Sequence, residues 1–137
     1  MLEDPRNCAC LGLRAATRRV TRRYDEALAP SGLSSSQFSM LTALAAKPSW
    51  GVAELAGQLD MDVSTATRNL RPLATAGYIT MRASARDARR REIRVAAKGR
   101  RALERAQSLW RRAQRKTVAM QGEPRLVELL ATLAAME

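Results

Sequence analysis

The stretch LAGQLDMDVSTATRNLRPLATAGYITMR, Leu55 to Arg82, decides the fold. It holds two short helical patterns separated by a tight break. Leu55, Ala56 and Leu59, with Val52 just upstream, stripe the first at the spacing of an amphipathic helix. Asp60-Met61-Asp62 interrupts it, and Asp62 is placed to cap the second pattern, Val63 to Ala76. At about 100° per residue, Val63, Ala66, Leu70 and Leu73 fall on one side of that helix. Ser64, Thr65, Arg68, Arg71 and Thr75 fall on the other. Pro72 removes one helical hydrogen bond and favours a kink. The helix is nevertheless read through it, because Leu73 continues the stripe and Gly77 is the better terminator.

Working outward, Tyr78 to Ala83 alternates as a strand, with Ile79 and Met81 on one side. Glu92 to Ala97 alternates too, with Ile93 and Val95 inward. Ser84 to Arg91 joins the two strands as a basic hairpin tip. Upstream, a helix is expected over about residues 8–29, striped by Leu13, Ala16, Val20, Tyr24 and Leu28. Arg14, Arg18, Arg19, Arg22 and Arg23 line its polar side, and Pro30-Ser31-Gly32 stops it. A second helix starts at Ser34, where Ser34 and Gln37 form a capping-box pattern, and it ends at Lys47-Pro48. Downstream, a long helix covers about residues 98–121 and a last one about 124–136, the latter carrying Leu126, Leu129, Leu130 and Leu133. The order predicts a mainly α fold with a small two-stranded β wing, that is, a winged helix-turn-helix. No repeat, linker or low-complexity tract interrupts the 137 residues, which suit a single domain.

Charge points to the partner. Lys and Arg number 24 against 13 Asp and Glu, a net charge of +11. A field of that sign recruits polyanions, nucleic acid first and an anionic membrane surface second. The basic helices lack the aromatic anchors of interfacial helices, which disfavours the membrane. On the helix from Val63 to Ala76, Arg68 and Arg71 can make bidentate contacts to guanine, and Ser64, Thr65 and Thr67 can reach base edges or phosphates. Arg86, Arg89, Arg90 and Arg91 in the hairpin tip suit a phosphate backbone or a narrow minor groove. Asp87 among them can brace a neighbouring arginine.

Other chemistry is thinly represented. The chain has no histidine, so no Ser-His-Asp or Cys-His pair exists. No catalytic residue, metal site or cofactor is expected. No run of apolar residues is long enough for a membrane span, and Met1 to Pro5 is acidic without a leader's apolar core, so a cytoplasmic protein is expected. Cys8 and Cys10 are either a thiol sensor for oxidant or soft metal, or small residues packed at an interface.

The stretch Leu55 to Arg82, the wing RDARR (Arg86 to Arg90), VAAKGRRAL (Val95 to Leu103) and LRAATRRVTRRYDEALAPSGLSSSQFSML (Leu13 to Leu41) together resemble the MarR-type (multiple antibiotic resistance regulator) winged-helix regulators. The resemblance spans essentially the whole chain. It implies a homodimer interlocked through its N- and C-terminal helices, with residues 33–97 forming the DNA-binding lobe and residues 1–32 and 98–137 the dimerisation helices. The unpartnered leucines of the last helix ask for such a partner independently. The resemblance also implies a repressor released by a small, often aromatic, effector; the two-fold symmetry of a dimer would match a palindromic double-stranded operator, and the sensor reading of Cys8 and Cys10 adds thiol oxidation as a release signal. The resemblance gives Asp87 and Arg89 the family's wing Asp-x-Arg role. Tyr24, Phe38, Trp50 and Trp110 are candidate pocket residues, each also a candidate for plain core packing. Gly51 and Ala96 depart from the family pattern, which often has Ser or Thr at these helix starts. Two other readings compete: a non-specific architectural DNA binder, and a winged helix that binds protein instead of DNA.

Overall fold

The structure, a computed structural model, describes residues 3–136. Met1 and Leu2, part of the stretch read as lacking a leader's core, and Glu137 lie outside the described residues. Helix α1 (Ala9–Leu28) is followed by a 3-10 turn over Ala29–Ser31 and by α2 (Ser35–Leu44). Gly32, in the left-handed region at φ 79°, turns the chain between them. The expected capping box is formed: Ser34 Oγ accepts from Gln37 N at 3.2 Å, and Gln37 Oε1 accepts from Ser34 N at 3.0 Å. Asp25 of α1 also accepts from Ser35 N at 2.7 Å, which fixes α2 against α1.

The helix-turn-helix comprises α3 (Val52–Gln58) and α4 (Val63–Thr75). Asp60 turns the chain between them in the left-handed region, φ 53°, a conformation that Asp tolerates better than most residues. Helix α4 runs through Pro72, which is exposed at its surface, and stops at Gly77, φ 77°. The sequence reading placed Val63 with the buried stripe. It is half exposed instead, while Ala66, Leu70 and Leu73 are fully buried.

The sheet has three strands. A two-residue strand, β1 (Trp50–Gly51), precedes α3, and the hairpin consists of β2 (Ile79–Ala83) and β3 (Arg91–Val95). The antiparallel order is β1-β3-β2. This corrects the two-stranded expectation, because β1 pairs Trp50 with Ile93 and Gly51 with Glu92. Trp50 pins it there: its Nε1 donates to Leu44 O at 3.0 Å, and Lys47 Nζ lies 4.2 Å from the ring centre. In the hairpin, Ile79 faces Val95 and Met81 faces Ile93, so the apolar set of both strands shares one face.

Helix α5 (Ala97–Gln121) starts hard against β2. Ala96 N donates to Tyr78 O at 2.9 Å, and a Cβ added at Gly99 would lie 2.1 Å from that same carbonyl oxygen. Only glycine permits this approach. Leu28, Leu41, Leu44, Leu55, Leu70, Leu73 and Ile93 form the centre of the core, with Ala102 and Ala106 bringing α5 close. Helix α6 (Glu123–Ala134) closes the chain and buries none of its residues. Val127, Leu129 and Leu130 on it are at least half exposed, as are Leu11 on α1 and Met120 on α5.

Candidate nucleic-acid interface

The N-terminal turn of α4 is built around Asp62. Its carboxylate accepts from Thr65 N at 2.7 Å, the expected cap. It also accepts from Ser64 Oγ at 2.6 Å and Thr65 Oγ1 at 2.9 Å. Arg68 Nη2 sits 3.4 Å from Thr65 Oγ1 and so joins the same group. The Ser64 hydroxyl, then the Thr65 N–H and hydroxyl, then the Arg68 charge hold the Asp62 carboxyl down at about 2. Asp62 is therefore ionised at neutral pH. Thr67 turns its hydroxyl back on the helix and donates to Val63 O at 2.8 Å. Ser64, Arg68 and Arg71 are exposed along the outer face, and Thr65 and Thr67 are partly covered.

The wing is braced from within. Ser84 N donates to Arg90 O at 2.7 Å, and Arg86 N donates to Ser84 Oγ at 3.2 Å. Ser84 Oγ in turn donates to Glu92 Oε1 at 3.0 Å, while Arg94 Nη2 donates to Glu92 Oε2 at 3.0 Å. The Arg94 guanidinium and then the Ser84 hydroxyl hold the Glu92 carboxyl below its usual range. Asp87 accepts from Arg89 N at 3.0 Å, and its other oxygen lies 3.8 Å from Arg90 Nε. It thus holds the Arg89 backbone and pairs loosely with the Arg90 side chain, leaving the Arg89 guanidinium out of its reach. Arg86, Arg89, Arg90 and Arg91 are all exposed.

Helix and wing flank one open cleft of about 1090 Å³. Val63 and Thr67 line it from α4, Arg86, Asp87, Arg89, Arg90 and Arg91 from the wing, and Lys47 and Glu54 from either side of the α3 start. Lys47 and Glu54 form an ion pair across that start. It partly replaces the missing cap at Gly51, whose N–H is accepted by Glu54 Oε2 at 3.3 Å. Ser64, Thr65, Arg68 and Arg71 stand outside the cleft on the adjoining face of α4. The cap at Asp62 was legible from sequence. Its grip on two hydroxyls was not noticed, although an Asp followed two and three residues later by Ser and Thr carries that signal. Glu92 and Ser84 were likewise missed as the wing's inner brace.

Of the four aromatic pocket candidates, three come together. Tyr24, Phe38 and Trp110 line a cavity of about 470 Å³ between α1, α2 and α5, with Ser35, Ser39, Met40 and Gln114. Phe38 and Trp110 stack with ring centres 5.9 Å apart. The Tyr24 hydroxyl donates to Gln114 Oε1. Trp50 lies elsewhere, in the sheet and at the edge of the cleft between α4 and the wing. Cys8 caps α1 from an extended conformation just outside the helix, and Cys10 sits in its first turn; both are exposed.

The sequence model of the MarR family matches residues 33–90. No curated protein matches the chain by sequence. Among solved structures, the M. tuberculosis transcriptional regulator MosR in complex with DNA is 39% identical, with a TM-score of 0.83 and 92% of each chain covered. The transcriptional repressor CouR, bound to a 23-mer DNA duplex, is 27% identical, with a TM-score of 0.83 over 98% of this chain and 95% of that one. A mutant MarR from E. coli, complexed with operator DNA, is 19% identical with a TM-score of 0.81 over 92% of each chain, a likeness of fold.

Proposed function

The chain belongs to the MarR family, and from that membership we propose that it is a transcriptional repressor that binds a palindromic double-stranded DNA operator as a homodimer. The observation that carries the reading is the pairing of α4's outer face with the wing. Arg68 and Arg71 are exposed on the face of α4 that adjoins the cleft, and Arg86, Arg89, Arg90 and Arg91 are exposed on the wing that lines it. Helix α4 enters a major groove, where Arg68 and Arg71 read guanine and Ser64, Thr65 and Thr67 supplement them. The wing arginines follow the backbone into the adjacent minor groove, with Asp87 shaping their loop. Residues 33–97 are the reading lobe, and residues 1–32 and 98–137 interlock with a second copy. The exposed leucines of α6 support that division. A regulator of this kind works in the cytoplasm and by binding rather than catalysis.

The cavity holding Tyr24, Phe38 and Trp110 is where an effector acts. Its lining contains no Lys, Arg, Asp or Glu, which suits a small, uncharged aromatic molecule. The exposure of Cys8 and Cys10 supports thiol oxidation as a second input.

Fluorescence anisotropy with the DNA flanking the gene, against random DNA of equal length over a salt series, tests the proposal. The expected result is preferential binding with a steep salt dependence from several phosphate contacts. Equal binding to both DNAs would instead support an architectural role, and absence of binding at low salt a protein-interaction module. Unchanged oxidant response after Cys8→Ser and Cys10→Ser would remove the thiol input.

A further inference from the structure

The hydroxyl groups on α4 have their protons already committed. A hydroxyl carries one proton and two lone pairs, and an ionised carboxylate only accepts. Ser64 Oγ at 2.6 Å and Thr65 Oγ1 at 2.9 Å must therefore each donate to Asp62. Thr67 Oγ1 gives its proton to Val63 O at 2.8 Å, independently of Asp62. What these groups offer outward is lone pairs alone. We propose that Asp62 is a specificity-determining residue that fixes Ser64 and Thr65 as hydrogen-bond acceptors, so that they select the exocyclic amino groups of adenine or cytosine.

The proposal rests on the reading of α4 as the groove helix and sharpens it. In the major groove, adenine N6 and cytosine N4 donate, whereas guanine O6 and N7 and thymine O4 accept. Phosphate oxygens also accept only. An acceptor-only hydroxyl therefore rejects guanine and thymine on the strand it faces and gains nothing from the backbone. Arg68 is the complement. It carries donors only, it already touches Thr65 Oγ1 at 3.4 Å, and it can swing from there to guanine. Donor-only and acceptor-only groups thus alternate within the first two turns of α4. The Asp62 carboxylate itself repels phosphate, which penalises any register that brings the backbone close to this turn.

The test combines selection of sites from a randomised duplex pool with base analogues, using the full-length protein. Wild type is expected to select a half-site containing a position split between amino-bearing bases (A or C) and keto bases (G or T). Replacing that base by an analogue lacking only the exocyclic amino group should weaken binding about fivefold, the worth of one hydrogen bond. Asp62→Asn keeps an excellent cap, but its amide nitrogen now donates to one hydroxyl and frees that proton to point outward. Its melting temperature should stay close to wild type, while the discrimination at that position falls and guanine or thymine is admitted. A motif without such a position, indifference to the amino group, or full discrimination in Asp62→Asn would overturn the proposal. A pool that yields no motif, or a motif unchanged by Arg68→Ala, would overturn the groove-helix reading beneath it, and the two failures are told apart by that control.

Discussion

The winged-helix lobe and the last helix, α6, treat their apolar residues in opposite ways. In the lobe, Leu33, Leu41, Leu44, Leu55, Leu70, Leu73 and Ile93 are all but removed from solvent. Its working polar groups are held as well, Ser64 and Thr65 by Asp62 and the wing loop by Ser84 and Glu92. In α6, by contrast, no residue is buried, and Val127, Leu129 and Leu130 remain open at 50% or more. The lobe is finished by its own chain. Helix α6 is left for something else to cover, and a second copy of the same chain is the partner proposed for it.

The contrast can be broken first at α6. Leu129→Asp with Leu130→Asp places charge where two leucines await burial, each worth about 1.5–3 kcal/mol. Sedimentation should show a dimer dissociation constant raised by at least about 100-fold and operator binding lost with it. The lobe's tryptophan fluorescence should stay native, since Trp50 is anchored in the sheet by Leu44 O. Survival of the dimer would show that the open leucines serve another purpose. The next largest effect belongs to the lobe's edge. Gly99→Ala forces a Cβ to within 2.1 Å of Tyr78 O, which backbone must relieve. A loss of about 1–3 kcal/mol in denaturant unfolding is expected.

Smaller changes sharpen the comparison in the stabilising direction. Ala96 caps α5 from an extended conformation with no side chain to offer, φ −77° and ψ 165°. Ala96→Ser should add about 1 kcal/mol. Gly51→Ser should add only a few tenths of a kcal/mol, because glycine is itself a tolerated cap, and the added Cβ meets only Glu54 Cβ at an ordinary 4.0 Å. The mildest effect is on acid stability. The Asp62 carboxyl is depressed from 3.8 to about 2 in the folded chain, so the stability it contributes is complete above about pH 4 and drains away as pH falls through 2. An acid titration of Asp62→Asn should be flatter than wild type across that window, and equal slopes would assign acid unfolding to other carboxylates.

Much of this was legible in sequence because it depends on period and punctuation. The stripe Ala66, Leu70, Leu73 and the stops at Asp60 and Gly77 define the helix-turn-helix. The alternation of Ile79 with Met81 and Ile93 with Val95 defines the wing. What escaped depends on three-dimensional neighbours. A two-residue strand has no period to show, and β1 is set by the bond of Trp50 to Leu44 O and its pairing with Ile93. Val63 fits the buried stripe by angle, yet it lines the open cleft beside the wing and stays half exposed. Among the aromatics, Tyr24, Phe38 and Trp110 converge because α1, α2 and α5 cross there, whereas Trp50 is claimed by the sheet. The Asp62 network is hinted at by the spacing of Asp62, Ser64 and Thr65, but it also needs the extended backbone of the cap and two particular hydroxyl rotamers, which only the folded chain fixes.

The carbonyl of Tyr78 has a mechanical consequence. Within three residues of it α4 ends and β2 begins, and the start of α5 is bonded to the same place: Tyr78 N donates to Leu73 O at 2.9 Å, Ala96 N to Tyr78 O at 2.9 Å, and Lys98 Nζ to Ala76 O at 2.6 Å. Gly99 removes the last cushion of side chain between helix and strand. The result is a joint without slack. The 25-residue helix α5 therefore starts from the same point at which α4 ends and the hairpin begins, so its direction is set by both.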